Sequence, residues 1–205
     1  MVAGFYGATA NAAPITYTFV NNGYFDGGAV RADGQIGGTA TEGGVTLTTV
    51  DVIGADGTRL SVGDALVADH YTSIGSSGGL AVNSSPADEL SAVNFDSLEA
   101  WEFNFDSNIY LESITLNSLD TGTSFTLSSL TAEFADITLD VDGANSLGTT
   151  FVTAGTTLRI SYNAGGLSGS AKIPDFTVNT IPEPATLGLI SACAIGALAI
   201  RRFHI

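Results

Sequence analysis

The chain has 205 residues, enough for one domain of ordinary size, and its 21 acidic and 6 basic residues give a formal net charge of −15. Such a surface repels nucleic acid, and it repels anionic polysaccharide unless divalent cations bridge the two. The single cysteine, Cys193, excludes an intramolecular disulfide, and abundant glycine with almost no lysine is typical of a secreted all-β domain rather than a cytoplasmic enzyme.

The chain opens with small and apolar residues that end in Ala10-Asn11-Ala12, the A-x-A cleavage pattern of a secretory signal peptide. No basic residue precedes this pattern, so we expect Met1 to be an internal start and the signal peptide to begin upstream. Residues 1–13 are interpreted as a signal-peptide remnant, with the mature chain beginning near Ala13. The alternative is a disordered leader of small residues.

The central part of the chain predicts a series of short strands. Alternating β-branched and aromatic residues predict the first strand at 15–20, and a strong strand is predicted at 45–53. The glycine-rich stretch 23–44 is interpreted as a loop with at most one short strand at 29–32, and 60–71 as a loop that can hold one more. Further strands are predicted at 78–82, 98–105, 109–116, 124–127, 133–139, 149–152, 156–162 and 175–178.

The clearest alternation lies in residues 98–105, where Trp101, Phe103 and Phe105 follow Glu99 on one parity. This pattern predicts a strand with a core-facing aromatic stripe. Asp106-Ser107-Asn108 is interpreted as a turn that joins this strand to the next one as a hairpin. The predicted core residues of the two strands are Trp101, Phe103, Phe105, Ile114 and Leu116.

The C-terminal tail has three parts in a fixed order. Pro182-Glu183-Pro184 is rigid, because proline fixes φ and favours an extended residue before it. Residues 185–200 carry no charge, and Phe203 with the aliphatic stems of Arg201 and Arg202 extends this run toward the roughly 20 residues that a transmembrane helix needs. The basic pair marks the cytoplasmic end, so the rest of the chain is expected across the membrane.

This tail resembles the bacterial PEP-CTERM sorting signal over 25 residues, from Ile181 to Ile205. The resemblance implies that an exosortase, a membrane-embedded protease resembling cysteine transpeptidases, recognises Pro182-Glu183-Pro184 and cuts near it. Arg201 and Arg202 would retain the tail in the membrane until then. The resemblance also implies a bacterium that makes exopolysaccharide. The alternative is a simple stop-transfer anchor whose prolines open the helix.

A second resemblance covers the middle of the chain. Residues 78–82, a polar loop containing Asp88 and Glu89, and the strand around residues 99–105 are similar to the ectodomains of many PEP-CTERM proteins. Trp101 stands where those proteins have leucine. This similarity implies a jelly-roll or galactose-binding-like sandwich.

The expected fold is therefore all-β, with no helical periodicity and no fixed-period repeat before the tail. We expect an antiparallel, jelly-roll-like β-sandwich at residues 14–180. The sorting signal follows at 181–205, with a single transmembrane helix at about residues 185–203.

Two acidic segments are candidates for Ca²⁺ binding, because this ion takes carboxylate and carbonyl oxygens from loops. One is the polar loop before the aromatic stripe. The other resembles half of a D-x-D-G loop, although its twelfth position is Phe151 rather than glutamate. The alternative is a pair of solvated acidic loops, and no other cofactor is expected. The candidate ligands are Asp88, Glu89, Asp96, Asp140 and Asp142.

No catalytic constellation is predicted. His70 is the sole histidine before the tail, and its neighbour Asp69 would face the opposite side of a strand. Glu99 and Glu102 would also point to opposite faces, which gives no support to a glycosidase pair. A secreted hydrolase that uses His70 remains the enzymatic alternative.

The sequence therefore favours an exported, non-enzymatic surface or extracellular-matrix protein associated with exopolysaccharide. Its expected partners are an exosortase, the bacterial inner membrane before processing, and exopolysaccharide, but not nucleic acid. The remaining alternative is a Ca²⁺-dependent carbohydrate-binding module that uses exposed aromatic side chains. The candidates for that role are Tyr24, Phe25, Tyr71, Tyr110 and Tyr162.

Overall fold

The computed structural model describes residues 13–19, 39–54, 57–59, 66–69, 79–82, 95, 98–163 and 171–181. These residues contain twelve strands and no helix, and the strands lie within one compact unit, Pro14–Thr180. The strands are β1 (Pro14–Thr18), β2 (Thr39–Glu42), β3 (Val45–Ile53), β4 (Leu66–Asp69), β5 (Gly79–Val82), β6 (Ala100–Phe105), β7 (Ile109–Asn117), β8 (Ser124–Ser129), β9 (Ile137–Leu139), β10 (Gly143–Val152), β11 (Leu158–Asn163) and β12 (Lys172–Thr180).

The strands form two sheets in which all neighbours run antiparallel. The first sheet has the order β10-β7-β12-β5-β4, and β1 also pairs with β12. The second sheet has the order β2-β3-β6-β11-β8-β9. The predicted antiparallel β-sandwich is confirmed, while the predicted transmembrane helix lies outside the described residues.

The core lies between the two sheets and is rich in aromatic rings. Trp101 stacks on Phe103 with ring centroids 4.2 Å apart, and Phe103 meets Phe176 of the first sheet edge-to-face at 5.6 Å. Such geometry adds to the stabilisation that burial gives. All five predicted core residues, including Ile114 and Leu116, are buried, which confirms that part of the sequence analysis.

The predicted hairpin between β6 and β7 is wrong. β6 pairs with β3 and β11 in the second sheet, whereas β7 pairs with β10 and β12 in the first. Residues 106–108 therefore carry the chain across the sandwich. The physical reason is that both strands have an apolar face, and placing them in opposite sheets lets the two faces cover each other.

Several strand boundaries also differ from the predictions. β2 lies inside the stretch that was predicted to be a loop, and it joins β3 through Gly43 and Gly44, with φ of 54° and 82°. Positive φ at both central residues is what a two-residue hairpin turn requires, so Gly-Gly was a signal for this hairpin. β9 is shorter than predicted and β10 longer, because buried Asn145 and Leu147 extend β10 toward its N-terminus.

Two β-bulges decide which side chains face outward. In β7, Glu112 is an extra residue between Leu111 and Ser113, so the buried positions change parity within the strand. In β3, Val50 is the extra residue, and Asp51 is consequently paired with Glu102. A bulge of this kind re-aims the side chains that follow it.

Candidate functional site

A row of charged side chains crosses the second sheet on the side of β6 that faces away from the aromatic stripe. The strand register places Asp51 of β3 opposite Glu102 of β6, and Glu102 opposite Arg159 of β11. Arg159 donates to Glu102 Oε1 from Nε at 2.8 Å and also from Nη2. Arg59 donates to Asp51 Oδ2, and its Nη2 lies 3.8 Å from Glu102 Oε2. We call these four residues the charged row.

The two carboxylates of the charged row are buried, with 6% of the Asp51 side chain and 2% of the Glu102 side chain exposed. The arginine side chains are more open, at 65% exposed for Arg59 and 35% for Arg159. Buried carboxylates need such partners, because an uncompensated buried charge is strongly destabilising. The charged row therefore links β3, β6 and β11 through compensated charges, and the sequence did not reveal it because Arg159 lies far from Glu102 along the chain.

The outer face of the first sheet carries two aromatic side chains, of which Phe151 is exposed and Tyr110 is half-buried. Phe151 of β10, Tyr110 of β7 and Asn179 of β12 lie opposite one another on three adjacent strands. The two ring centroids are 5.7 Å apart, the planes are inclined by 59°, and 44% of Phe151 is exposed. Asn179 Nδ2 donates to Glu112 Oε1, and Glu112 lies two residues after Tyr110, on the same face of β7. We call these four residues the aromatic row.

Hydroxyl groups continue the outer face beside the aromatic row. Thr16 of β1 and Thr177 of β12 are paired, with their Oγ1 atoms 3.1 Å apart. Asn179 Oδ1 is shielded from solvent and has no hydrogen-bond partner in the described part of the chain. An acceptor left in this state is costly, so it calls for an explanation.

Two further carboxylates fasten turns of the sandwich. Burial raises the pKa of Asp106, but hydrogen bonds from the Thr46 backbone N–H, at 2.9 Å, and from Ser107 Oγ hold it below its usual value. Burial likewise raises the pKa of Glu133, and donors from Thr153 N and Thr156 Oγ1 lower it. In each case the hydrogen bonds to the charged form outweigh burial.

The predicted metal ligands fall into two groups. Asp140 and Asp142 are exposed, and Asp142 Oδ1 accepts from Leu119 N at 3.2 Å. The Asn145 side chain stabilises the loop that carries these two aspartates, because it accepts a hydrogen bond from Val141 N and donates one to Val141 O. Within the described ranges, no three His, Cys, Asp or Glu side chains are arranged to hold a metal ion. The other candidates, Asp88, Glu89 and Asp96, lie outside the described residues, so the Ca²⁺ site stays a prediction.

Of the predicted sugar-binding aromatics, Tyr110 lies on the outer face as described above. Tyr162 does not serve this role, because it is buried against Phe125 with the ring centroids 5.0 Å apart. Alternation along the strands separates these two tyrosines, because Tyr162 shares the parity of Leu158 and Ile160, whereas Tyr110 has the opposite parity to its apolar neighbours. Tyr24, Phe25, Tyr71 and the catalytic alternative His70 lie outside the described residues.

Comparison with known proteins places a recognised signal at the end of the last strand. Residues 180–202 match the PEP-CTERM protein-sorting motif. The chain carries a PEP-CTERM sorting signal. This signal implies export, anchoring in the membrane before processing, and processing by an exosortase.

The PEP-CTERM match begins at the last residue of β12, so a single residue, Ile181, separates the sheet from Pro182. The signal residues Pro182, Glu183, Pro184, Arg201 and Arg202 themselves lie outside the described residues. In the part of the chain that the structure describes, no helix is long and apolar enough to cross a membrane.

The other comparisons are remote. No curated protein matches the chain. Among solved structures, the carbohydrate binding module CBM6cm-2 from Cellvibrio mixtus lichenase 5A, in complex with cellotriose, is similar to 65% of this chain over 99% of its own length. The sequence identity is 16% and the TM-score is 0.32, so this likeness carries no argument about a ligand.

Proposed function

We propose that this PEP-CTERM protein is a non-enzymatic component of the cell surface or extracellular matrix, and that its β-sandwich associates with exopolysaccharide. The observation that carries the proposal is the sorting signal at residues 180–202, which begins at the last residue of the last strand of the sandwich. In this proposal, residues 1–13 are the remnant of a signal peptide, and residues 181–205 are the signal that the exosortase reads and removes.

The surface chemistry of the sandwich agrees with a structural role. Two of the three described basic residues, Arg59 and Arg159, are committed to the charged row, and the third, Lys172, is buried. Exposed carboxylates dominate the rest of the described surface, as expected for a protein that stays soluble outside the cell. In the charged row both carboxylates are held by guanidinium groups, which suits sheet stability better than acid–base chemistry.

Processing tests the first half of the proposal. We expect the extracellular form from the host to lack residues beyond roughly Pro184, because proline-bordered peptides are extended and fit a protease groove. Mass spectrometry of the protein released from host cells measures this. Replacing Pro182 and Pro184 together by alanine should leave the full chain in the membrane fraction, whereas the matched control Thr186→Ser should be processed normally. An intact tail on all extracellular protein would refute the proposal.

Deletion in the host tests the second half. We expect the deletion strain to form a weaker extracellular matrix and to retain less exopolysaccharide in biofilm or floc, with unchanged degradation of polymer in the medium. Complementation with the wild-type chain, but not with the doubly alanine-substituted signal variant, should restore retention. If retention is unchanged while polymer degradation disappears, the matrix role is wrong and the hydrolase alternative gains.

A further inference from the structure

The aromatic row places an exposed ring where the fold does not need one. Along β10 the side chain of Val152 fills the core, while the neighbouring Phe151 points to solvent. Phe151 is the aromatic member among the large apolar side chains that are exposed in the described residues. A polar or β-branched residue would suit the outer face of an edge strand equally well. The exposed ring is therefore available to a partner that could cover it.

The groups beside the rings indicate the chemistry of that partner. Glu112 is an acceptor, and the Asn179 amide nitrogen that donates to one of its oxygens holds it beside the rings. A ligand that donates hydroxyl hydrogens would bind the Glu112 carboxylate, and its C–H groups would meet the negative faces of the rings. A sugar ring presents both kinds of group at once, with hydroxyls around its rim and C–H groups on its faces.

The negative charge of the aromatic row favours uncharged sugars over anionic ones. Glu112 adds a negative charge beside the rings, and the described basic residues lie elsewhere, with Arg59 and Arg159 on the second sheet and Lys172 buried. An anionic polymer would be repelled here. The row also continues past Asn179 to Pro14 of β1, so it spans four strands, or about 14 Å at about 4.8 Å per strand spacing. That width is suited to a chain of sugar units rather than to a single ring.

We propose that the outer face of the first sheet binds an uncharged polysaccharide, with Tyr110 and Phe151 contacting the faces of the sugar rings and Glu112 accepting hydrogen bonds from their hydroxyls. This inference rests on the proposed function, because exported matrix polymer is what the protein would meet. It adds the site and the class of polymer.

The test uses the full chain in detergent and the host's own exopolysaccharide. The polymer is cut into oligosaccharides, end-labelled with a fluorophore and separated by anion exchange into neutral and acidic pools, and binding is read by fluorescence anisotropy. We expect the neutral pool to bind more tightly than the acidic pool. Phe151→Thr and Tyr110→Thr, which retain β-propensity, should each weaken binding at least about tenfold.

Matched control variants distinguish the loss of an aromatic contact from a general loss of folded structure. Phe151→Tyr and Tyr110→Phe keep the rings and should bind within about twofold of the wild type, a difference of about 0.4 kcal/mol. Leu130→Ala removes an exposed apolar side chain elsewhere on the surface and should leave binding unchanged. Thermal unfolding identifies any variant that fails to fold.

The outcomes distinguish this inference from the proposed function. The inference is overturned if the neutral pool does not bind or if the threonine variants bind as the wild type does. It is also overturned if Phe151→Thr is retained in the host matrix at the wild-type level, a result that leaves the proposed function standing. Absence of the wild-type protein from the matrix would instead refute the proposed function itself.

Discussion

Removing Arg159 should destabilise the sandwich more than removing the carboxylate it binds. In the Arg159→Met variant the aliphatic stem is kept, but Glu102 loses both of the hydrogen bonds that Arg159 donates to it. Glu102 is almost completely buried, and the remaining cation, Arg59, is mostly exposed and 3.8 Å away. In the Glu102→Gln variant the residue left behind is Arg159, whose side chain is 35% exposed and can be hydrated by solvent.

The magnitudes follow from this difference in burial. Removing one partner of a buried ion pair, so that the other charge stays buried and uncompensated, costs about 3–5 kcal/mol of stability. We expect about 3 kcal/mol for Arg159→Met, because Arg59 remains near Glu102. Glu102→Gln exchanges a charge-assisted hydrogen bond for a neutral one, which costs about 1 kcal/mol. For a domain of this size, these free-energy losses lower the melting temperature by roughly 6–12 °C and 2–4 °C.

The chain carries its own reporter for the measurement. Trp101 is the single tryptophan, it is buried, and it is the immediate neighbour of Glu102 in β6. Its fluorescence during thermal and urea unfolding of the full chain in detergent gives the free energy of unfolding of each variant. Asp136→Asn, at an exposed carboxylate, serves as the control and should be near neutral. If Glu102→Gln is as destabilising as Arg159→Met, the burial argument is wrong.

Two further predictions concern turns. Gly43→Ala should lower the stability more than Gly44→Ala does, although both glycines have positive φ. A Cβ at Gly43 would lie 2.7 Å from Ile15 Cδ1, whereas nothing lies within 4 Å of a Cβ at Gly44. Equal melting temperatures of the two variants would contradict this prediction. The lowered pKa of Asp106 contributes stability above the unfolded pKa near 3.9, and this contribution is lost as the pH falls through the lower folded pKa. The free energy of unfolding of Asp106→Asn should therefore fall less than that of the wild type as the pH is lowered from about 5 to about 2. Urea titrations at each pH measure this, and an equal fall in both proteins would show that the Asp106 pKa does not contribute to stability.

Local patterns in the sequence determined many of the strands of this protein and its sorting signal. Alternation has a period of two residues in any strand, so the aromatic stripe of β6 and the bounds of β3 could be predicted without knowing any partner strand. The sorting signal is equally local, because its proline-bordered tripeptide, apolar run and basic pair are adjacent in the chain. Nothing in these patterns depends on which strands become neighbours.

Only the tertiary structure decided which strands share a sheet and which side chains meet on their faces. The turn at residues 106–108 suits a hairpin as well as a crossing, and the choice depends on how two apolar faces are covered. The charged row joins residues from three strands and one loop position, and the aromatic row joins residues from β7, β10 and β12. The charged row also depends on a bulge, and a single extra residue reverses the face of every side chain that follows, so this site cannot be read from spacing along the chain.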